Sequence, residues 1–328
     1  MERNYTFTGD FSPEAVAAVL SIEMILALIA NGVVLVITIY QRKSWKQSST
    51  ILFTSLILAH LLIILVLPFC IAALAAGEWI IGSTDEERKG TCDVSAYILL
   101  YSGNIMYMTL SLISIDRFLF IVKPHLHKRF MSPRVALVLV IIVWIATALF
   151  FSSGFINGSG TVFKYINNVG ACYGYSASPI MAAIRFSIIT ILLSIIIITS
   201  VWTFCFTRKF INNQSMIVGE SVYASKKKRL FGIFGSMLLV YGICFAPGTF
   251  LSSFFAIIDA PDKLNISALV LYLLAFILSP VIQSYFRPEI NSVIVNIIYH
   301  KMMKKLNQSY YQTTSSNTSK TNTNSLDL

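Results

Sequence analysis

Residues Ile51–Ala76 read ILFTSLILAHLLIILVLPFCIAALAA, 26 positions without one Asp, Glu, Lys or Arg. About 20 apolar residues in a helix cross the hydrocarbon of a bilayer, so this run is long enough to span one. Six more windows of the same kind surround it: Ala15–Tyr40, Val94–Ile115, Val135–Ile156, Phe186–Thr207, Leu230–Ile258 and Leu264–Phe286. Glu23 is the one charged residue in all seven, whereas a soluble amphipathic helix carries charge along its whole water-facing stripe. The alternating ten-residue segments of a transmembrane barrel are absent from the sequence. The chain therefore reads as an all-α, integral membrane bundle of seven transmembrane helices.

Composition agrees. Of 328 residues, 56% are apolar and 12% charged, with a mean hydropathy of +0.73. A soluble domain carries about 25% charge, so a solvated globular protein is excluded. Five cysteines are too few for a disulfide scaffold. The formal charge of +10 would suit nucleic acid, but its placement points elsewhere. The C-terminal tail and the loops after spans one, three and five hold 19 Lys or Arg against 4 Asp or Glu. The other side holds five (Arg3, Arg88, Lys89, Lys164, Lys263) against ten acids. The positive-inside rule then predicts the N-terminus outside and the C-terminus in the cytosol. The basic residues serve as a topogenic signal beside anionic membrane lipids, and no nucleic-acid partner is expected.

The first apolar run is longer than a signal-peptide core, so span one is expected to remain as an anchor. Sequons on the outer side make Asn4 and Asn157 glycosylation candidates, ahead of Asn265. Cys92, at the outer end of span three, and Cys172, before span five, both face an oxidising compartment, and a bridge between them would pin the outer loop across the mouth of the bundle. Cys70, Cys205 and Cys244 lie in apolar runs as small hydrophobes. No His or Cys pattern has metal-ligand spacing, and no convergent His, Asp or Glu cluster suggests an enzyme; no cofactor or metal is expected.

Several local motifs converge on one family. Asp116-Arg117-Phe118 closes span three and is similar to an Asp-Arg-Tyr motif, with Cys92 at 25 positions before Arg117. Asn31, Trp144, Trp79-Ile80-Ile81-Gly82, Cys244-Phe245-Ala246-Pro247 and Ser279-Pro280-Val281-Ile282-Gln283 follow the order of further anchors. On these residues the chain, from about Ala15 to Leu306, resembles the rhodopsin-like (class A) G-protein-coupled receptors. The resemblance implies a plasma-membrane, multi-pass receptor that transmits an extracellular ligand's binding to heterotrimeric G proteins. It implies the Cys92–Cys172 disulfide and a switch region of Asp116, Arg117, Phe118, Tyr241, Phe245, Pro247, Pro280 and Gln283. Physically, Asp116 can hold Arg117 at rest and release it to a partner. The plainer reading is an arginine that snorkels at a helix end. Pro247 lacks the N–H for the helical ladder and kinks span six into a lever. The second cytosolic loop, from Lys123-Pro124-His125-Leu126-His127 to Met131-Ser132-Pro133, is similar to that of olfactory-type, chemosensory receptors.

Departures from the pattern carry information. His60 stands where the family has a span-two aspartate, and Met106, Phe276 and Ser279 replace the other sodium ligands. The sodium site is expected to be lost, with His60 a neutral, hydrogen-bonded residue in one reading and a pH sensor in the other. Gln283 and Tyr241 put the family's water-bridged active state in doubt. Lys227, within Lys226-Lys227-Lys228-Arg229, occupies the position of the acid that often locks Arg117, and like charges repel, so ligand-independent activity is expected. A receptor that binds ligand or arrestin without G-protein coupling is the alternative; a transporter or channel would need polar residues along several spans.

Leu99 fills the position that pairs with an amine in aminergic relatives, and an unpaired ammonium in an apolar pocket is too costly. The expected lining of Tyr97, Leu99, Leu100, Gly103, Asn104, Phe245, Gly248, Ser252 and Tyr272 suits a small lipophilic or weakly polar ligand. Arg185 either faces the bundle, where it clamps a carboxylate or phosphate, or faces lipid and snorkels. By domain, residues 1–14 form a short extracellular N-terminus, 15–286 the seven-helix receptor, and 287–306 an amphipathic helix on the anionic leaflet. Residues 307–328 are a Ser/Thr/Asn-rich disordered tail, open to receptor kinases and arrestin or merely solvated.

Overall fold

The computed structural model describes residues 5–41, 45–156, 160–176, 178–218, 244–245, 261–285, 291–293 and 295–296. Six helices among them are long and apolar enough to cross a membrane. They are α1 (Pro13–Tyr40), α2 (Ser48–Ala76), α3 (Asp85–Val122), α5 (Pro133–Ser152), α6 (Pro179–Val218) and α7 (Asp262–Tyr285). These are expected spans one to five and seven; a short helix, α4 (Pro124–Phe130), follows α3. Apart from Cys244 and Phe245, both buried, span six lies outside the described residues. So do Asn4, Asn157, Tyr241, Pro247, Gly248, Ser252, residues 226–229 and the tail. Of the amphipathic segment, 291–293 and 295–296 are described, and these are helical.

The helices outrun the apolar windows, and their caps explain why. α3 starts nine residues before Val94, in a charged stretch that hydropathy passes over. There the Thr84 hydroxyl accepts from the Glu87 N–H at 3.2 Å. The Glu87 carboxylate in turn accepts from the Ser83 N–H at 2.7 Å, and Asp85 and Glu86 complement the helix dipole. At 38 residues α3 is about 57 Å long, well beyond the hydrocarbon. Ser12 caps α1 through the Ala15 N–H, and Ser132 caps α5 through the Val135 N–H, each with a proline in the first turn. α6 likewise extends beyond both ends of the expected Phe186–Thr207.

α2 and α3 form the interior of the bundle. Leu52, Phe53, Leu56, Ile57 and Ala59 on α2 have no exposed surface, because α2 packs against α1, α3 and α5. α3 in turn touches α2, α4, α5 and α6. Outward faces are also apolar: Ile22, Ile25, Ile29, Val36 and Ile39 of α1 are exposed, as a bilayer requires. Polar contacts tie the helices where hydrocarbon offers no water. Trp144 Nε1 on α5 donates to Ser55 Oγ on α2 at 2.9 Å, and Ser55 meets Thr109 on α3 at 3.4 Å.

One element departs from an all-helical reading, a β-hairpin before α6. Strands β1 (Thr161–Ile166) and β2 (Ala171–Ser176) pair antiparallel, with Phe163 opposite Gly174 and Tyr165 opposite Cys172. Gly170 closes the turn at φ 73°, a left-handed conformation that glycine adopts without strain. The N-terminal segment lies across this end of the bundle as a strap. Phe7 N–H donates to Gly77 O at 2.7 Å, Trp79 N–H to Tyr5 O at 3.1 Å, and Thr8 N–H to Asn167 O at 2.9 Å. Lys263 Nζ then reaches Asp10 at 3.0 Å, which fastens the strap to the start of α7.

Candidate functional site

The disulfide end is built around Cys92–Cys172, which joins α3 to β2 with a Cα separation of 5.3 Å. Trp79, with no exposed surface, packs there with Tyr5, Phe163 and Tyr165. Its Nε1 donates to the Thr91 hydroxyl at 3.1 Å. Burial pushes the Tyr165 phenol up to about 12, and the Glu78 carboxylate adds to the rise. Gly174 lets β2 lie against α3, since a Cβ there would meet Leu100 Cδ1. The hairpin is thus a fixed roof whose β2 face looks into the bundle.

Under that roof stands Arg185. Its Nη1 donates to Ser176 Oγ of β2 at 3.4 Å, and its guanidinium lies 5.7 Å from the centroid of Phe151 on α5. Arg185 is half-buried, with its side chain against the hairpin and α5. Among the described residues no carboxylate pairs with it. Tyr173 of β2 keeps 38% of its surface accessible. Desolvation pushes its phenol up, and the nearby Arg185 charge draws it back.

The sequence candidates divide beneath the hairpin. Gly103 and Tyr272 come together: a Cβ on Gly103 would stand 3.4 Å from the Tyr272 hydroxyl. Tyr272 continues into an aromatic floor, edge-on to Phe245 at 5.5 Å and to Phe276 at 5.2 Å. Phe245 reaches Tyr107 at 6.1 Å. Tyr97, by contrast, stacks on Tyr101 and turns toward α5 and the roof, edge-on to Phe163 at 6.3 Å. Asn104 spends an amide hydrogen on Leu100 O of its own helix, and Leu99 is half-buried. Sequence reasoning missed Phe163, Tyr173, Ser176 and Phe151. The alternation of Thr161–Ile166 and the turn at Gly170 were the available signals for the first three.

Midway along the bundle, Asn31 Nδ2 donates to Ala27 O at 2.8 Å and Phe276 O at 2.9 Å. Its oxygen must therefore accept, so His60 Nδ1, 3.0 Å away, carries the proton. His60 is 1% exposed and lies 4.9 Å from the Phe276 ring. Among the described residues no carboxylate is hydrogen-bonded to His60 or Asn31.

At the opposite end Asp116, 3% exposed, accepts from Ser48 Oγ of α2 at 2.6 Å and faces His127 Nε2 of α4 at 3.0 Å. Arg117 is half-buried, and Phe118 packs edge-on against Trp202 of α6 at 5.6 Å. Gln283 is buried and donates to Ser279 Oγ at 3.3 Å.

Comparison with known proteins gives a consistent outcome. The 7 transmembrane receptor (rhodopsin family) profile matches residues 30–286. The 12-(S)-hydroxy-5,8,10,14-eicosatetraenoic acid receptor of Mus musculus is 25% identical over 75% of this chain and 74% of its own. Hydroxycarboxylic acid receptor 2 of Homo sapiens is 30% identical over 42% of this chain and 36% of its own. The 5-hydroxytryptamine receptor 7 of Xenopus laevis is 31% identical over 43% of this chain and 32% of its own. This chain therefore spans about a third of the length of the last two.

Proposed function

From a chain that belongs to the rhodopsin family of seven-transmembrane receptors, we propose a plasma-membrane receptor that couples a small lipophilic acid, bound outside, to heterotrimeric G proteins inside. In this reading the disulfide end faces out and the Arg117 end faces the cytosol, as the positive-inside distribution supports. The ligand's acidic head pairs with Arg185 beneath the hairpin, and its apolar body runs over Tyr272 toward Phe245. Phe245 sits on span six, so a ligand pressing the aromatic floor would push that span.

One observation carries the acidic head group: Arg185 is turned inward onto Ser176 and Phe151 with no carboxylate among the described residues. A guanidinium held against apolar and weakly polar groups gains most from an anion that brings charge and acceptor oxygens together. Two of the three relatives are named for acids. The third is named for an amine, and here Leu99 stands at the family's amine-pairing position.

The test is a coupling assay on membranes holding the full chain, with fatty and hydroxy fatty acids against their methyl esters. A charge-assisted hydrogen bond contributes about 1.5–3 kcal/mol, so acids should act at ten- to hundredfold lower concentration than esters. Arg185→Gln should abolish that preference, and Arg185→Lys should keep part of it. Esters matching acids on the wild type, or an unchanged preference in Arg185→Gln, would remove the acidic ligand from the proposal.

A further inference from the structure

Four positions of the hairpin stay exposed, and strand geometry puts them on one face, since successive side chains of a strand point to opposite sides. Phe163 and Tyr165 of β1, with Cys172 and Gly174 of β2, pack toward α3, whereas Val162, Lys164, Tyr173 and Tyr175 are exposed. The register pairs Val162 with Tyr175 and Lys164 with Tyr173. Lys164 therefore stands across the ladder from a tyrosine, with about 5 Å between the Cα atoms. Arg185 comes to the same strand from α6. Its Nη1 donates to Ser176 Oγ at 3.4 Å, and its charge acts on the Tyr173 phenol. Lys164 and Arg185 thus border one residue, Tyr173.

The acidic side of the sequence holds ten acids, yet these two cations are left without one. Arg88 pairs with Glu78 at 4.0 Å and Lys263 with Asp10 at 3.0 Å. Lys89 follows Asp85 and Glu86 on α3 by four and three residues, the spacing at which helical side chains meet. Among the described residues neither Lys164 nor Arg185 has a carboxylate partner. A guanidinium and an ammonium on either side of a phenol favour a group with more than one negative charge. A carboxylate brings one charge and two oxygens, whereas a phosphate monoester brings about −1.5 to −2 at neutral pH and three acceptor oxygens.

We propose that Lys164 is a specificity residue: with Arg185 it forms a two-cation site, and the acidic head that this receptor prefers is the phosphate monoester of a lipophilic chain. The proposal rests on the reading of Arg185 as the partner of the ligand's acidic head, and it adds which acid. With Nη1 on Ser176, Arg185 keeps further N–H groups for two of the phosphate oxygens. Lys164, a point charge on a flexible stem, meets the third from across Tyr173. A singly charged head uses Arg185 and leaves Lys164 in water. Exposed ion pairs are weak and screened by salt, so Lys164 sets a preference among acids.

The test is stabilisation of the full receptor in nanodiscs by ligand, which needs no G protein. Decyl phosphate, its monomethyl ester, decanoate, methyl decanoate and inorganic phosphate are each titrated against the melting temperature. On the wild type, decyl phosphate should act at about two- to fivefold lower concentration than its monomethyl ester, which keeps one charge. Raised salt should shrink that gap. Lys164→Gln should close it and Lys164→Arg should keep it, while Lys89→Gln, which removes a cation of α3, should leave it as in the wild type. Equal action of the two phosphates on the wild type, or a gap that survives Lys164→Gln, overturns the two-cation site and leaves the acidic ligand standing. A gap lost equally in Lys89→Gln also overturns it, because net charge would then be the cause. Inorganic phosphate matching decyl phosphate overturns the lipophilic monoester as occupant, and no stabilisation by either decyl phosphate overturns the site altogether. Decanoate matching methyl decanoate strikes the carboxylate reading alone, and the two decyl phosphates still decide Lys164.

Discussion

Single residues decide more here than their number suggests, and His60 shows how. Its imidazole is enclosed, fixed as the Nδ1–H form by Asn31, and covered by Phe276. Restoring the family's aspartate at this position does not rebuild a sodium site, because Met106 and Phe276 still supply no oxygen. It buries a carboxylate without a cation, a mechanism that costs about 3–5 kcal/mol when one charge is left alone. His60→Asp should therefore lose folded receptor, read as a drop in detergent melting temperature, and ligand affinity of the wild type should be equal in sodium and in a bulky organic cation. Gly170 makes a parallel case in the roof. It sits at φ 73°, and an added Cβ would stand 2.6 Å from Leu74 Cδ2. Gly170→Ala should cost about 1–3 kcal/mol from backbone strain, with a melting measurement showing more loss than for Gly32→Ala, where nothing lies within 4 Å of the new Cβ.

At the scale of elements, the strap and the hairpin act together. Asn167 Nδ2 donates to Thr6 O at 2.8 Å, and Asn168 Nδ2 donates to Asp262 Oδ1 at 2.8 Å, so the hairpin turn clips both the N-terminal segment and the start of α7. A net hydrogen bond is worth about 0.5–1.5 kcal/mol. Asn167→Ala should therefore speed amide exchange at Phe7 and Thr8 by roughly two- to tenfold, with α2 and α3 unchanged; equal protection in the variant would show that the turn does not hold the strap. The helices were readable from sequence because a bilayer demands one signal, a long uncharged run, and Ile51–Ala76 gives it without ambiguity. Their ends were not, because Thr84 to Glu87 cap α3 with the charged residues that a hydropathy window discards. The hairpin was hidden for a different reason: six alternating residues such as Thr161–Ile166 leave little signal, and the disulfide and strap stabilise them from afar. The inward turn of Arg185 was equally illegible, since one residue at a helix edge has no periodicity to follow.

For the whole molecule, the governing quantity is where charge is placed. The net +10 divides into a basic side and an acidic side, and the seven apolar windows carry only Glu23 between them. An epitope before Met1 should accordingly label intact cells, and one after Leu328 only permeabilised cells. The same basic side sets the resting balance of the receptor. By the family resemblance, residues 226–229, which lie outside the described residues, are four cations at the position where a relative carries an acid that holds Arg117, and like charges there would repel. An exposed ion pair is worth about 0.2–1 kcal/mol, and the corresponding repulsion favours the open form by a similar amount. Basal coupling should thus be measurable without ligand, Lys227→Glu should reduce it about two- to fivefold at equal surface expression, and Arg117→Ala should abolish it. Added salt distinguishes this from a packing effect. Screening weakens exposed charge pairs, so raised ionic strength in isolated membranes should shrink the difference between wild type and Lys227→Glu while leaving Arg117→Ala inactive. A difference that salt does not change would place the cause in the packing of span six instead of in its charge.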